Sequence, residues 1–209
     1  MASNPSALGA WQSVHPAQCA DWFSTVTAPW WVAGGWALDL YAGAQSRPHG
    51  DLDVGVLRRD VREILAALSS WEMFEASAGV LTRLEAGGAP RAEVNSLWCR
   101  PTGTSLWMMQ LLLDESADGF WVFRRQPAIR LPMEKAVRRD SAGLPYLSPE
   151  IQLLYKAKDP RPRDQADFDH IAPWLDPSAR AWLREALARM NPSHAWMRDL
   201  LPISHRSDP

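Results

Sequence analysis

The sequence predicts an α/β fold in which a mixed sheet is flanked by helices and followed by a small helical part. Three observations support this prediction: an apolar run at residues 30–33 that stops at two glycines, strict apolar–polar alternation at residues 51–57, and a C-terminal part with apolar residues at helical spacing only. Strands mixed with helices, and then helices alone, are typical of a sheet domain with a helical appendage. We therefore expect a sheet domain over residues 1–145 and a helical segment over residues 146–209.

The predicted elements of the sheet domain follow one another closely. A short helix at residues 16–26 precedes the apolar strand, and a helix that ends at Gly43 follows the two glycines. An amphipathic helix is expected at residues 59–71. Further strands are expected at residues 73–77, 80–85, 92–99, 106–114 and 120–124. In the C-terminal part, Ser148-Pro149-Glu150 is typical of a helix start. Two more helices are expected at residues 163–174 and 178–190.

Composition excludes several classes of protein. The 209 residues carry a formal net charge of −2, so there is no general basic field for nucleic acid. Cys19 and Cys99 do not form a disulfide framework and fit a reducing compartment. No apolar stretch is long enough to span a membrane, and the first residues lack the pattern of a secretory signal. We expect a cytoplasmic protein without a membrane or nucleic-acid partner.

Two signals in residues 34–53 point to phosphate chemistry. Asp51 and Asp53, two apart on a strand, share one face at a spacing of about 7 Å, and a bound Mg²⁺ would relieve their repulsion. The Gly34-Gly35 turn lets backbone approach a ligand closely, and the following helix start favours an anion. Each signal alone is common in turns and solvated strand faces. Together, and in this order, they predict Mg²⁺-assisted phosphoryl or nucleotidyl transfer.

This segment resembles the signature of the DNA polymerase β-like nucleotidyltransferase superfamily, a Gly-Gly turn followed by Asp-x-Asp between apolar residues. More narrowly, it is similar to the lincosamide and aminoglycoside nucleotidyltransferases of antibiotic resistance, and the residues that carry this likeness are Gly34, Gly35, Trp36, Asp39, Gly43, Arg47, His49, Asp51 and Asp53. Residues 148–156 and 161–168 look like the helical segment of the same group. The resemblance implies a nucleotidyltransferase-type mixed sheet, two Mg²⁺ ions and an NTP donor, for which we expect ATP.

The resemblance also implies a third carboxylate on a neighbouring strand. Alternation along residues 106–114 gives one purely apolar face, which should pack on helices. The other face, formed by Met108, Gln110, Leu112 and Asp114, leaves Asp114 on the side of Asp51 and Asp53. We therefore predict Asp114 as the third metal ligand and the general base. Glu115 is the alternative if the register slips by one residue, and Glu93 on the preceding strand is the next candidate.

Three further side chains are candidates for binding the nucleotide. Arg47 and His49 lie in the loop before the aspartates, where a planar guanidinium suits phosphate oxygens. With Gly34 and Gly35 they are predicted to contact the triphosphate. Lys156 lies near the end of the helix that begins after Ser148. It either complements the negative end of that helix or neutralises the leaving pyrophosphate.

These residues predict transfer of a nucleotide, expected to be AMP, to a hydroxyl of a small molecule, with antibiotics as one class of acceptor. Two alternatives are nucleotidylation of a protein or tRNA, as in toxin–antitoxin nucleotidyltransferases, and nucleotide binding without catalysis. The mild acidity opposes tRNA, and the intact glycines and aspartates oppose a non-catalytic role. A polycationic aminoglycoside would need an acidic pocket, for which the candidate residues are Glu93, Glu115, Asp118 and Asp164.

Overall fold

The computed structural model of the chain describes residues 9–201. The described residues contain ten strands: β1 (Trp30–Val32), β2 (Asp53–Leu57), β3 (Trp71–Ser77), β4 (Val80–Arg83), β5 (Ser96–Pro101), β6 (Met109–Ala117), β7 (Phe120–Val122), β8 (Arg130–Pro132), β9 (Val137–Arg139) and β10 (Pro145–Leu147). They also contain seven α-helices: α1 (Gln18–Trp22), α2 (Gly34–Ala42), α3 (Val61–Ala67), α4 (Met133–Ala136), α5 (Pro149–Lys156), α6 (Pro162–Ile171) and α7 (Pro177–Met190).

The strands form one mixed sheet in the order β4-β3-β5-β6-β2-β1-β10-β9, and the β7–β8 hairpin joins the far end of β6. Strand β2 lies near the middle, antiparallel to β1 and parallel to β6. Apolar residues of both strands alternate into the core, where Val54, Val56, Leu111 and Leu113 are buried. The predicted fold class, a mixed sheet flanked by helices, is confirmed.

The boundaries of several elements differ from the sequence prediction. Strand β2 begins at Asp53, and Asp51 lies in the bend before it. Strands β8, β9 and β10 were not predicted from the pattern, because three residues are too few to establish a period of two. Strand β10 nevertheless pairs with β1 in parallel, so it helps to hold the strand that leads into the Gly-Gly turn.

The chain divides into two compact units, with the boundary between Leu147 and Ser148. The second unit holds α5, α6 and α7, and Phe168 stacks on Trp196 there with ring centroids 4.1 Å apart. Asp176 caps α7 by accepting the backbone N–H of Ala179 at 2.9 Å. Across residues 9–201, none of the helices combines the length and the apolar character that crossing a bilayer requires.

Candidate active site

The start of α2 lies directly against the side chain of Asp53. The backbone N–H of Ala33 donates to the backbone oxygen of Asp53 at 2.8 Å, and Gly34 then takes a left-handed conformation with φ of 67°. A Cβ on Gly34 would collide with Asp53 Oδ2 and lie 3.1 Å from its Cγ. Only glycine therefore permits both this conformation and this close approach.

The same helix start carries the features of an anion site. Ala33 is the N-cap in an extended conformation and makes no side-chain capping hydrogen bond. The first turn of a helix presents backbone N–H groups and the positive end of the helix dipole. A phosphate is favoured at such a position, and here it would lie next to a carboxylate that could share a cation with it.

The carboxylates of Asp51 and Asp53 flank Leu52, which is fully buried. Asp51 is exposed and Asp53 is half-buried, so both residues lie at the rim of the sheet's core. Carboxylate oxygens are the ligands that Mg²⁺ prefers, so this donor set fits the metal that the fold implies. Within residues 9–201, no group of three or more His, Cys, Asp or Glu side chains is placed to hold a metal ion.

Arg47 and His49 lie beside the second glycine of the turn. A Cβ on Gly35 would lie 2.6 Å from Arg47 Nη2 and 2.6 Å from His49 Nδ1. Gly35 thus allows a guanidinium and an imidazole to close over the helix start. This placement is compatible with the predicted contact between Arg47 and a triphosphate.

A buried carboxylate orients His49. Asp39 accepts from Ser46 Oγ at 2.5 Å, and His49 Nε2 lies 2.5 Å from Asp39 Oδ2. His49 Nδ1 lies 3.1 Å from Arg47 Nη1. Because arginine can only donate, His49 Nδ1 accepts from Arg47, and His49 Nε2–H donates a hydrogen bond to the Asp39 carboxylate. Asp39 therefore fixes His49 and through it Arg47.

Asp114 does not lie beside the aspartate pair. In the pairing of β2 with β6, Asp53 is opposite Gln110 and Asp114 is opposite Leu57, four residues further along β2. The register places Asp114 on the face of Asp53, but a rise of about 3.3 Å per residue separates them by roughly 13 Å along the strands. A water bridge cannot span this separation, so we do not assign Asp114 to the metal site.

The other two candidates for the third carboxylate are engaged elsewhere. Arg58 Nε donates to Glu115 Oε1 at 2.6 Å, and Arg58 also bonds the backbone oxygen of Val94. The side chain of Glu93 is 65% exposed and lies 3.6 Å from Arg91. Neither is brought to the aspartate pair, since Glu115 lies still further along β6 than Asp114.

The row of residues that does cross the sheet at Asp53 was not identified from the sequence. Cα pairing runs from Asp53 to Gln110, Trp98 and Phe74 on successive strands, so their side chains share one face. Trp98 packs edge-on against Trp11 at 4.9 Å and against Trp107 at 5.5 Å. Alternation had already grouped Gln110 with Asp114, but only the strand register decides which of them faces Asp53.

Lys156 lies in the helical unit between two buried carboxylates, and its side chain is 9% exposed. Its Nζ lies 3.0 Å from Asp164 and 2.8 Å from Asp167. Burial alone would raise the pKa of Asp164, but hydrogen bonds from Arg161 and Lys156, together with the charge of Lys156, hold that pKa well below its ordinary value. These contacts explain Lys156 as part of an ion-pair network that stabilises the unit.

In this structure a helix begins with glycine against one member of a carboxylate pair on a mixed sheet. This arrangement is typical of nucleotidyltransferases. The sequence model of the family described as aminoglycoside-2''-adenylyltransferase matches residues 17–171, so the chain belongs to this family. A comparison with curated protein sequences gives no match.

Solved structures similar to this chain include two antibiotic-modifying enzymes. The lincomycin-bound lincosamide antibiotic adenylyltransferase LnuA is 15% identical with a TM-score of 0.53, and the match covers 78% of this chain and 97% of LnuA. ANT(2'')-Ia in complex with adenylyl-2''-tobramycin is 14% identical with a TM-score of 0.53, covering 83% and 95%. The solution structure of ANT(2'')-Ia is 16% identical with a TM-score of 0.55, covering 83% and 89%. At these identities the likeness concerns the fold.

Proposed function

We propose that this protein transfers AMP from ATP to a hydroxyl group of a small molecule, with Mg²⁺ bound by Asp51 and Asp53 and pyrophosphate as the second product. The observation that carries the proposal is the close approach of Gly34 to Asp53, which brings the start of α2 against one member of a carboxylate pair. Membership in the aminoglycoside-2''-adenylyltransferase family supports the adenylyl donor.

Each part of the site has a role in this reaction. When bound, Mg²⁺ would supply the positive charge that offsets charge developing on the phosphate oxygens. Gly34 and Gly35 would bring the first turn of α2 to the triphosphate, and Arg47 would bind its oxygens beside Gly35. Asp39 and His49 would orient Arg47 and thereby hold the donor in place for attack.

The first acceptors to consider are aminoglycosides, which the family description indicates. Two of the acidic residues that could have formed a polycation pocket, Glu115 and Asp164, are held in ion pairs with Arg58 and Lys156. Trp98 is half-buried in the row of Asp53 and could contact an apolar ring face. Acceptors with fewer charges, such as lincosamides, therefore belong beside aminoglycosides in the test.

The proposal is tested by incubating the protein with Mg²⁺, each of the four NTPs in turn, and a panel of aminoglycosides and lincosamides. Pyrophosphate release should require an acceptor, and mass spectrometry should find an acceptor that has gained one adenylyl group. The Asp51→Asn, Asp53→Asn double variant is the matched control and should give neither product. Acceptor consumption that persists in the double variant would place the chemistry elsewhere.

A further inference from the structure

The side chain beside Asp53 on the neighbouring strand is an amide. Gln110 is the Cα partner of Asp53, and the backbone N–H of Gln110 donates to the oxygen of Leu52 at 2.8 Å. Adjacent strands lie about 4.8 Å apart, and paired residues point to the same face. Gln110 is therefore the β6 residue closest to the carboxylate of Asp53.

The side-chain amide of Gln110 forms a hydrogen bond to a residue on the strand that lies on the other side of β6 from β2. Its Nε2 donates to Ser96 Oγ at 2.5 Å, and Ser96 lies on β5, the strand on the far side of β6 from β2. This bond uses the nitrogen, so the carbonyl oxygen of the amide takes no part in it. Gln110 is half-buried, so its side chain keeps some access to solvent, and the strand pairing sets it beside Asp53.

We propose that Gln110 Oε1 supplies a neutral third oxygen to the metal held by Asp51 and Asp53. Amide oxygens of glutamine bind hard divalent cations in proteins, and metal affinity depends on how many ligands are charged. With two carboxylates and one amide, the protein's ligands carry two negative charges. The metal should therefore bind weakly to the protein alone and much more tightly with ATP, whose phosphates supply the missing charge. This inference rests on the proposed function, because it needs the metal at Asp51 and Asp53.

The test measures Mn²⁺ binding by electron paramagnetic resonance of the free ion, first with the protein alone and then with ATP present. Gln110→Glu adds a third carboxylate and should tighten binding of Mn²⁺ alone by at least about tenfold. Gln110→Leu removes the amide oxygen at similar volume and should weaken binding with ATP by at least about threefold. Gln126→Glu is the matched control, since it adds the same charge at a half-buried glutamine beyond β7, and its affinity should equal that of the wild type.

The outcomes separate this inference from the proposed function. If Asp51→Asn and Asp53→Asn weaken Mn²⁺ binding but both Gln110 variants behave like Gln126→Glu, Gln110 is not a ligand and the proposed function stands. If the wild type binds no Mn²⁺ even with ATP, both the inference and the proposed function are wrong. Circular dichroism and urea unfolding check that each variant is folded. Ser96→Ala removes the bond to Ser96 but keeps the amide oxygen of Gln110, so it should bind Mn²⁺ with ATP as the wild type does. A loss equal to that of Gln110→Leu would show that the Ser96 bond, and not the amide oxygen, is responsible.

Discussion

Replacing Gly34 by alanine should disable the site while a matched glycine replacement should not. Gly34 and Gly43 lie at opposite ends of α2 and both have left-handed backbones, with φ of 67° and 74°. A Cβ on Gly34 meets the side chain of Asp53, whereas a Cβ on Gly43 meets nothing within 4 Å. The two variants therefore share the backbone strain and differ in the contact with the candidate metal ligand.

The expected losses of stability and of activity follow from the backbone strain and from the contact with Asp53. A left-handed conformation costs a residue with a side chain about 1–2 kcal/mol, so Gly43→Ala should lose that much stability. Gly34→Ala bears the same cost and must also move Asp53 or the start of α2, because the contact is with the carboxylate itself. A displacement of about 1 Å at a reacting centre can cost about 100-fold in rate. We expect at least that loss for Gly34→Ala and less than about threefold for Gly43→Ala, whose strain lies away from Asp53.

The assay combines thermal unfolding with pyrophosphate release at saturating ATP and acceptor. Both variants should unfold cooperatively, and each 1 kcal/mol lost should lower Tm by about 2–4 °C in a chain of this size. Titration with Mn²⁺ in the presence of ATP should show weakened binding for Gly34→Ala alone. If Gly34→Ala retains the turnover and Mn²⁺ affinity of Gly43→Ala, the close approach of α2 to Asp53 has no role in catalysis.

Three other perturbations test other parts of the structure. Gly35→Ala should raise the Kd for ATP at least about tenfold, measured by calorimetry, because its Cβ displaces His49 and the neighbouring guanidinium; an unchanged Kd would make the turn purely structural. Asp39→Asn should lower the free energy of unfolding by about 1–3 kcal/mol, since it weakens one buried and one part-buried hydrogen bond, and equal stability in urea would contradict this. The pKa of Asp164 is lower in the folded state than its unfolded value of about 3.9, so the charged carboxylate stabilises the fold at pH values above about 3.9. This stability is lost as the pH falls from about 3.9 towards the lower folded-state pKa. Lys156→Met should therefore be less stable at pH 7 by about 3–5 kcal/mol, and its stability should depend less on pH between about 2 and 5. A wild-type pH dependence in Lys156→Met would refute the ion-pair explanation.

The local parts of the site could be predicted from the sequence because short-range patterns determine them. Gly34 and Gly35 follow an apolar strand, and Asp51 and Asp53 alternate with buried residues, so turn chemistry and a period of two were enough. Arg47 and His49, which lie beside Gly35, belong to the same segment and could also be predicted from its pattern.

The composition of the row across the sheet could not be predicted, because it depends on the register between strands distant in sequence. Alternation assigned Gln110, Leu112 and Asp114 to one face but did not say which of them pairs with Asp53. That choice is set by the packing of the whole sheet. The ion pair between Arg58 and Glu115 likewise joins residues 57 positions apart, which no local pattern reveals.

The central claim is that the nucleotidyl group, and not a phosphoryl group, moves to the acceptor. The most direct measurement incubates the protein, Mg²⁺ and the acceptor panel with ATP labelled either at the α-phosphorus or at the γ-phosphorus. If AMP is transferred, the α-label appears in the modified acceptor and the γ-label in pyrophosphate, and Asp53→Asn abolishes both. A γ-label in the acceptor, or α-label transfer that is unchanged in Asp53→Asn, would contradict it.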